Sequence, residues 1–279
     1  MNWPLGMVIW REDPLQMIKT VARLKLQTCQ LYAPAETQRT THTATQLKEE
    51  ARKMNIKITS LICAFPDEDY TSISTIARTV GLTPPQTRHE RFQEILSIAE
   101  FAKELNVNVV QGHIGFLPQE PGQIREIIAL VRDIADYLAQ HGQLFALETG
   151  QEPAQSLQQF IEKVRRENVK VNFDPANFIL YKTDDPLRAL VVLGDLIVGF
   201  HCKDGLPPQK DGELGREVQL GEGFVDFPNL LTKLKEIGYS GALTIERELV
   251  DEAQQERDVA HARDYLLRLI AELQGKEKL

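Results

Sequence analysis

Short apolar runs alternate with longer amphipathic stretches from one end of the chain to the other. The runs have the composition of β-strands, and the stretches between them repeat their apolar residues with the period of a helix. Strands that alternate with helices predict a parallel sheet. The predicted strands cover residues 5–10, 28–33, 56–65, 107–115, 144–148, 169–174, 197–201 and 242–246.

Eight helical stretches accompany these strands, at residues 13–25, 44–54, 88–105, 121–141, 154–167, 185–193, 226–237 and 254–274. Eight strand–helix units in 279 residues predict an α/β fold in which one domain, residues 1–279, closes as a (β/α)8 TIM barrel. The active site of such a barrel lies where the strands end. Two longer loops, 66–87 and 204–225, are expected on that face, where they would serve as a lid.

Four polar residues end consecutive predicted strands: Glu148, Asp174, His201 and Glu246. If they face the barrel interior, their strand neighbours face the helices, and those neighbours are bulky and apolar in all four strands. Three carboxylates and an imidazole that converge on one point indicate a divalent cation, because unneutralised carboxylates repel one another. Such a set suits Mn²⁺, Mg²⁺ or Co²⁺, and Zn²⁺ is a further option. A glutamate at a strand end, taken alone, is equally typical of a surface residue.

Three further residues are candidates for binding a substrate at the same barrel end. Lys203 shares the inward face with His201, and a buried lysine is costly unless it is paired or meets a ligand. His113 ends the fourth predicted strand, where it is either a substrate contact or a core histidine. Asn177 follows Asp174 by three residues and is expected to line the site.

The remaining candidates are placed less firmly by the pattern. Trp10 ends the first predicted strand and would supply an apolar wall for a sugar. Glu152, after the fifth strand, and Arg216, in the second long loop, complete the predicted substrate-binding set. Asp204 is interpreted instead as a carboxylate that caps its loop.

Composition excludes several classes of function. The net charge of −8 makes binding to a nucleic-acid backbone unexpected. The three cysteines show no CxxC spacing, which argues against a disulfide framework and a structural zinc site. The first residues lack a basic leader, and no apolar stretch is long enough to span a membrane. We therefore expect a cytoplasmic protein that binds neither membranes nor nucleic acids.

The segments LETG, NFDPAN, HCKD, LGEGFVDF and GYSGALTIERE resemble those of the sugar phosphate isomerase/epimerase family, which has a xylose isomerase-like barrel. The resemblance covers nearly the whole chain and is strongest over residues 195–248. Ketose 3-epimerases, hydroxypyruvate isomerase, inosose dehydratase and endonuclease IV are related members.

The resemblance implies that the four strand-end residues bind a divalent metal. It also implies that Glu148 and Glu246 are catalytic, one removing the proton beside a carbonyl and the other returning a proton to the opposite face. The implied substrate is a small sugar, a sugar phosphate or a polyol ketone, which is converted through an enediolate. Homo-oligomers are common in the family, so a homo-oligomer is expected here as well.

Two departures from the epimerase pattern keep other functions open. Asn177 stands where ketose 3-epimerases typically have a histidine, and Lys203 in HCKD is similar to the inosose dehydratase branch. A lyase that uses the same site is therefore the main alternative to an isomerase or epimerase. An endonuclease IV-like nuclease would need more histidines than this chain supplies for its zinc ions. A barrel that has lost catalysis and only binds a ligand is the last alternative.

Overall fold

Eight parallel strands close into a barrel in the computed structural model, which describes residues 3–10 and 13–275. The strands of the described chain are β1 (Leu5–Ile9), β2 (Thr28–Tyr32), β3 (Lys57–Ile62), β4 (Val109–Gly112), β5 (Leu144–Glu148), β6 (Val169–Phe173), β7 (Ile197–Cys202), β8 (Asp204–Leu206), β9 (Arg216–Val218) and β10 (Leu243–Ile245). Around the barrel the order is β1, β10, β7, β6, β5, β4, β3, β2. The predicted (β/α)8 TIM barrel is confirmed.

Helices surround this barrel. They are α1 (Pro14–Arg23), α2 (Thr41–Met54), α3 (Ile73–Thr79), α4 (Arg88–Glu104), α5 (Pro121–Ala139), α6 (Ala154–Val164), α7 (Pro175–Tyr181), α8 (Pro186–Leu193), α9 (Phe227–Glu236) and α10 (Glu252–Gly275). Several begin with a side chain that accepts hydrogen bonds from the first free N–H groups, as Asp13 does for α1 and Asp185 for α8. None of the helices in the described ranges combines the length and apolar composition needed to cross a membrane.

Side chains alternate between two environments along each barrel strand, as the sequence pattern predicts. The apolar layer between strands and helices contains the buried side chains of Phe145, Phe173 and Phe200. The rings of Phe173 and Phe200 stack there, with 5.5 Å between their centroids. The inward positions carry small or polar residues such as Asn172 and Thr244, both fully buried. The barrel interior of this protein is therefore polar, and the apolar core lies outside the barrel.

The long loops contain structure that the sequence pattern does not predict. In loop 204–225, β8 and β9 form an antiparallel hairpin, in which Asp204 pairs with Val218 and Leu206 with Arg216. Helix α3 lies in loop 66–87, and helix α7 follows β6 directly. The expected eight strands and eight helices are thus too few for the described chain. These extra elements are too short to show a helical or strand period.

Candidate metal centre

Glu148, Asp174, His201 and Glu246 converge at the C-terminal end of the barrel. One ligand atom from each lies within 4.8 Å of every other, and all four residues are buried. Nδ1 of His201 is at the middle of the group, 3.1 Å from Glu246 Oε2, 3.4 Å from Glu148 Oε1 and 3.8 Å from Asp174 Oδ2. The four residues come from adjacent strands, because β10, β7, β6 and β5 are neighbours in the barrel.

Asp174 uses its two carboxylate oxygens differently. Its Oδ1 accepts hydrogen bonds from the backbone N–H groups of Ala176 (2.8 Å) and Asn177 (3.2 Å), so that it caps helix α7. The Thr149 hydroxyl makes two hydrogen bonds to the backbone of Asp174. It accepts one from the Asp174 N–H at 2.8 Å and donates one to the Asp174 carbonyl oxygen at 3.0 Å. The remaining oxygen, Oδ2, faces the other ligands.

Two buried atoms of the group test whether a cation fits. Oδ2 of Asp174 and Nδ1 of His201 are buried and make no hydrogen bond to any part of the chain that the structure describes. Leaving such atoms unsatisfied is costly, and a buried cluster of carboxylates needs positive charge. Oxygen ligands with one imidazole nitrogen are a suitable set for a divalent cation. The residues present therefore fit the predicted metal.

The charges of the group shift several pKa values. Burial disfavours the imidazolium of His201, but the carboxylates of Glu246 and Glu148 outweigh it and hold the His201 pKa well above its usual value. Burial likewise disfavours the carboxylate of Glu246, yet His201 and Lys203 keep its pKa well below the usual range. For Asp174 burial prevails and raises the pKa to about 6. In the metal-free protein, a proton on His201 thus partly replaces the charge of a cation.

Lys203 stands beside the group rather than within it. Its Nζ donates a hydrogen bond to Glu246 Oε2 at 3.1 Å and lies 3.7 Å from Glu248 Oε1 and 3.9 Å from Asp174 Oδ2. Burial opposes its charge, but Glu246 and Glu248 hold its pKa well above the usual value. Lys203 is therefore a buried cation that is paired with Glu246 and also faces the cavity above the group.

A cavity of about 290 Å³ opens above these residues. Glu148, Glu246 and Lys203 form part of its wall, as do the predicted residues His113 and Asn177. Nε2 of His113 lies 3.9 Å from Glu148 Oε1, and the amide nitrogen of Asn177 lies 3.5 Å from the same oxygen. This volume is at the lower end of the range for ligand-binding pockets, so the cavity suits a small ligand that reaches the carboxylates.

Three predicted substrate-binding residues are not part of the cavity wall. Trp10 lines a neighbouring groove, whose wall includes Tyr32 of the cavity. Glu152 is half-buried and accepts a hydrogen bond from the backbone N–H of Leu117. Burial raises the pKa of Glu152 to about 7, although that hydrogen bond opposes the shift. Arg216 is exposed on strand β9.

Other residues of the cavity wall were not singled out in the sequence. Tyr32, at the end of β2, and Glu248, two residues after Glu246, could have been found by the same strand-end parity. Tyr70 and Tyr181 also line the cavity, but they come from a loop and from helix α7. No strand pattern points to them, so only the folded chain reveals an aromatic wall.

Asp204 organises the second long loop, as the sequence predicts. Its carboxylate accepts hydrogen bonds from the backbone N–H groups of Gly205, Gly221, Gly223 and Val225, at 2.9 to 3.0 Å. A Cβ atom at Gly223 would lie 2.1 Å from Asp204 Oδ1, so this position requires glycine. The segment 221–223 (GEG) therefore wraps around the carboxylate of Asp204, the residue that follows Lys203.

Known proteins share this architecture. A family profile described as "Xylose isomerase-like TIM barrel" matches residues 18–269. The crystal structure of a xylose isomerase domain protein from Planctomyces limnophilus has 38% sequence identity and a TM-score of 0.92, over 96% of this chain and 98% of that chain.

More distant structures share the fold alone. D-psicose 3-epimerase with D-tagatose, from Clostridium cellulolyticum H10, has 18% identity and a TM-score of 0.73, over 95% of this chain and 99% of that chain. The probable 3-DHS dehydratase of Bacillus anthracis has 15% identity and a TM-score of 0.66, over 94% of this chain and 98% of that chain. The same barrel thus occurs in proteins described as an epimerase and as a dehydratase.

Proposed function

The chain belongs to the xylose isomerase-like TIM barrel family, and we propose that it is a divalent-metal-dependent isomerase or epimerase of a small sugar, sugar phosphate or polyol ketone. The observation that carries the proposal is the buried group of three carboxylates and one imidazole beneath an open cavity. Two of the carboxylates, from Glu148 and Glu246, line that cavity and so can reach a ligand.

Glu148, Asp174, His201 and Glu246 would hold the cation, for which Mn²⁺, Mg²⁺ and Co²⁺ are the best candidates and Zn²⁺ a further one. When bound, the cation would supply Lewis acidity that withdraws negative charge from the carbonyl oxygen of the substrate. Asp174 has its second oxygen engaged by helix α7 and does not line the cavity, so we assign it no role in proton transfer.

The proton transfer is assigned to the two glutamates. In this proposal a carboxylate oxygen of Glu246 or Glu148 takes the proton from the carbon next to the carbonyl. The other glutamate gives a proton back, to the opposite face of the same carbon in an epimerase. Glu246 is suited to act as the base, because His201 and Lys203 keep it ionised against the effect of burial.

The remaining cavity residues would bind and orient the substrate. Lys203, His113 and Asn177 present nitrogen atoms that can hydrogen-bond to hydroxyl or carbonyl oxygens. Tyr32 and Tyr181 supply flat apolar surfaces that also carry hydroxyl groups. This combination of polar groups and aromatic walls suits a polyhydroxylated ligand.

Replacing Glu246 tests the proposal. The Glu246→Gln variant keeps the size of the side chain but cannot accept the proton, so we expect turnover to fall by about 10²–10⁴-fold. Proton exchange should be measured directly, as deuterium incorporation from D₂O into a panel of ketoses and their phosphates. Glu222→Gln, which changes an exposed glutamate, serves as the control. Full activity in a folded Glu246→Gln variant would refute the mechanism.

A lyase is the second candidate. The proton would be removed in the same way, and a hydroxyl group on the next carbon would then leave as water. The observation in its favour is Lys203, whose Nζ lies next to Glu246 and can donate a hydrogen bond to the leaving oxygen. A dehydrated, conjugated product would absorb ultraviolet light and have a lower mass by one water, whereas an isomerase leaves the mass unchanged.

A further inference from the structure

The imidazole of His201 presents one ring nitrogen to the carboxylates and the other to the barrel interior. Nδ1 lies 3.1 Å from Glu246 Oε2, whereas Nε2 lies 2.7 Å from the side-chain oxygen of Gln30. A neutral imidazole binds a cation through the nitrogen that carries no hydrogen. The position of that hydrogen therefore decides whether His201 can serve as a ligand at this place.

Gln30 determines where the hydrogen is. An amide oxygen can only accept, so its short contact with Nε2 requires a hydrogen on Nε2. In the neutral imidazole, Nδ1 is then the nitrogen without hydrogen. The amide nitrogen of Asn172 lies 3.1 Å from the same Nε2 and would favour the opposite tautomer. The Gln30 contact prevails because it is the shorter of the two. Without a hydrogen on Nε2, the lone pairs of Nε2 and of Gln30 Oε1 would face each other at 2.7 Å and repel.

Gln30 is itself held from two sides. Its Oε1 also accepts a hydrogen bond from Gln111 Nε2 at 2.8 Å, and its own Nε2 donates to Asn172 Oδ1 at 3.4 Å. All of these side chains are buried inside the barrel. Rotating the Gln30 amide would break its bonds to Gln111 and His201 together, so the barrel interior keeps its oxygen directed at His201.

We propose that Gln30 is a positioning residue that keeps His201 in the tautomer with Nδ1 free and thereby sets the metal affinity of the centre. The inference rests on the metal site of the proposed function and deepens it, since Gln30 lies on β2, outside the set of ligands. Partners that hydrogen-bond to the second nitrogen of a metal-binding histidine typically change metal affinity by about 10- to 100-fold.

Three variants test the role by metal binding. Gln30→Met removes the acceptor at similar size, and we expect Mn²⁺ or Co²⁺ to bind about 10- to 100-fold more weakly in calorimetric titration. Gln30→Glu keeps an acceptor for Nε2–H and should bind at least as tightly as the wild type. Gln143→Met is the matched control, because Gln143 is equally buried but contacts the backbone of Ala99 and Val107 instead. It should lose stability without losing metal affinity.

The tautomer provides a second measurement that a purely structural role would not affect. In the Zn²⁺-loaded, ¹⁵N-histidine-labelled protein, the His201 ring should show its hydrogen on Nε2, with the resonance assigned by its loss in His201→Gln. Hydrogen on Nδ1, or wild-type affinity in Gln30→Met, would overturn the positioning role. Ion binding without turnover of any ketose contradicts only the proposed function, and a wild-type protein that binds no divalent cation contradicts both.

Discussion

At the scale of single residues, position in the fold gives similar side chains different chemistry. Glu246 lies beside His201 and Lys203, so its carboxylate stays ionised although it is buried. Glu152 follows Glu148 by four residues, but no cation among the described residues offsets its burial, and its pKa rises to about 7. A buried glutamate of this chain therefore stays ionised or titrates near neutral pH according to its neighbours.

The raised pKa of Glu152 predicts a pH effect on stability. Its folded pKa of about 7 exceeds the unfolded value of about 4.3, so the protonated form stabilises the fold at low pH and this contribution is lost as pH rises through 7. Glu152→Gln keeps an oxygen for the N–H of Leu117 without the charge. We expect it to be more stable than the wild type at pH 8, by on the order of 1 kcal/mol, and similar at pH 4.

Urea unfolding at the two pH values measures this difference. Glu167→Gln, at an exposed glutamate, is the control and should change stability little at either pH. A Glu152→Gln variant that gains nothing at pH 8 would show that the charge of Glu152 is not destabilising in the fold.

At the scale of elements, the hairpin β8–β9 depends on one carboxylate. Asp204 accepts four backbone hydrogen bonds from its own loop, and Arg247 connects Glu217 of β9 to Asp258 of α10 through contacts of 2.7 Å. The segment that carries Lys203 and the segment that carries Glu246 are thereby held against each other. From this loop, Leu214 lines the cavity of the candidate site.

Removing this carboxylate should loosen the loop. Asp204→Ala leaves four backbone N–H groups without their acceptor, and we expect a loss of stability of about 1–3 kcal/mol. Cleavage within residues 204–225 by limited proteolysis should accelerate at the same time. Asp211→Ala, in the same loop but exposed and paired with Lys182, is the control. Equal proteolysis of both variants would contradict the role of Asp204.

At the scale of the whole molecule, barrel closure brings together side chains that are far apart in sequence. Glu148 and Glu246 are 98 residues apart in the chain, yet their ligand atoms lie within 4.8 Å of each other. The folded state therefore concentrates negative charge at one end of the barrel. A cation that binds only the folded state should stabilise the entire chain.

Divalent metal should accordingly raise the unfolding temperature. At a free ion concentration 100-fold above Kd, we expect the free energy of unfolding to increase by about 2.7 kcal/mol. This corresponds to a rise of roughly 5–10 °C in the unfolding temperature. Asp174→Asn retains the cap of helix α7 but weakens the site, so its unfolding temperature should respond much less. The same rise in both proteins, measured by calorimetry with Mn²⁺, would show that the stabilisation arises elsewhere.

The same binding should depend on pH. Because the His201 pKa is held well above its usual value, an ion must displace a proton, and affinity should rise by roughly tenfold per pH unit over the neutral range. Below about pH 6 Asp174 also binds a proton, and the dependence should steepen. Titrations with the ion at pH 6, 7 and 8, each in two buffers, measure the released proton, and an affinity that does not change with pH would contradict the assignment.

The metal-free protein should also depend on pH. The ion pairs of protonated His201 stabilise the fold at low pH, and this contribution is lost as pH rises through the raised pKa of His201.

The amino-acid sequence by itself determined the barrel and the four converging residues. Strand parity is a local property, because alternate side chains of a strand face opposite sides. Parallel strands also end at the same edge, so Glu148, Asp174, His201 and Glu246 could be placed together before any contact was known. The interpretation of Asp204 as a loop-capping carboxylate is also correct, and the contacts that show it lie within its own loop and the residues next to it.

Only the tertiary structure decided what surrounds these residues. Trp10 follows the last residue of β1 and lines a groove beside the cavity, a placement that strand parity does not give. Tyr70 and Tyr181 reach the cavity from a loop and a short helix, and Gln30 reaches His201 across the barrel from β2. Such contacts join residues far apart in the chain, so their geometry follows from how the barrel closes and how the loops pack over it.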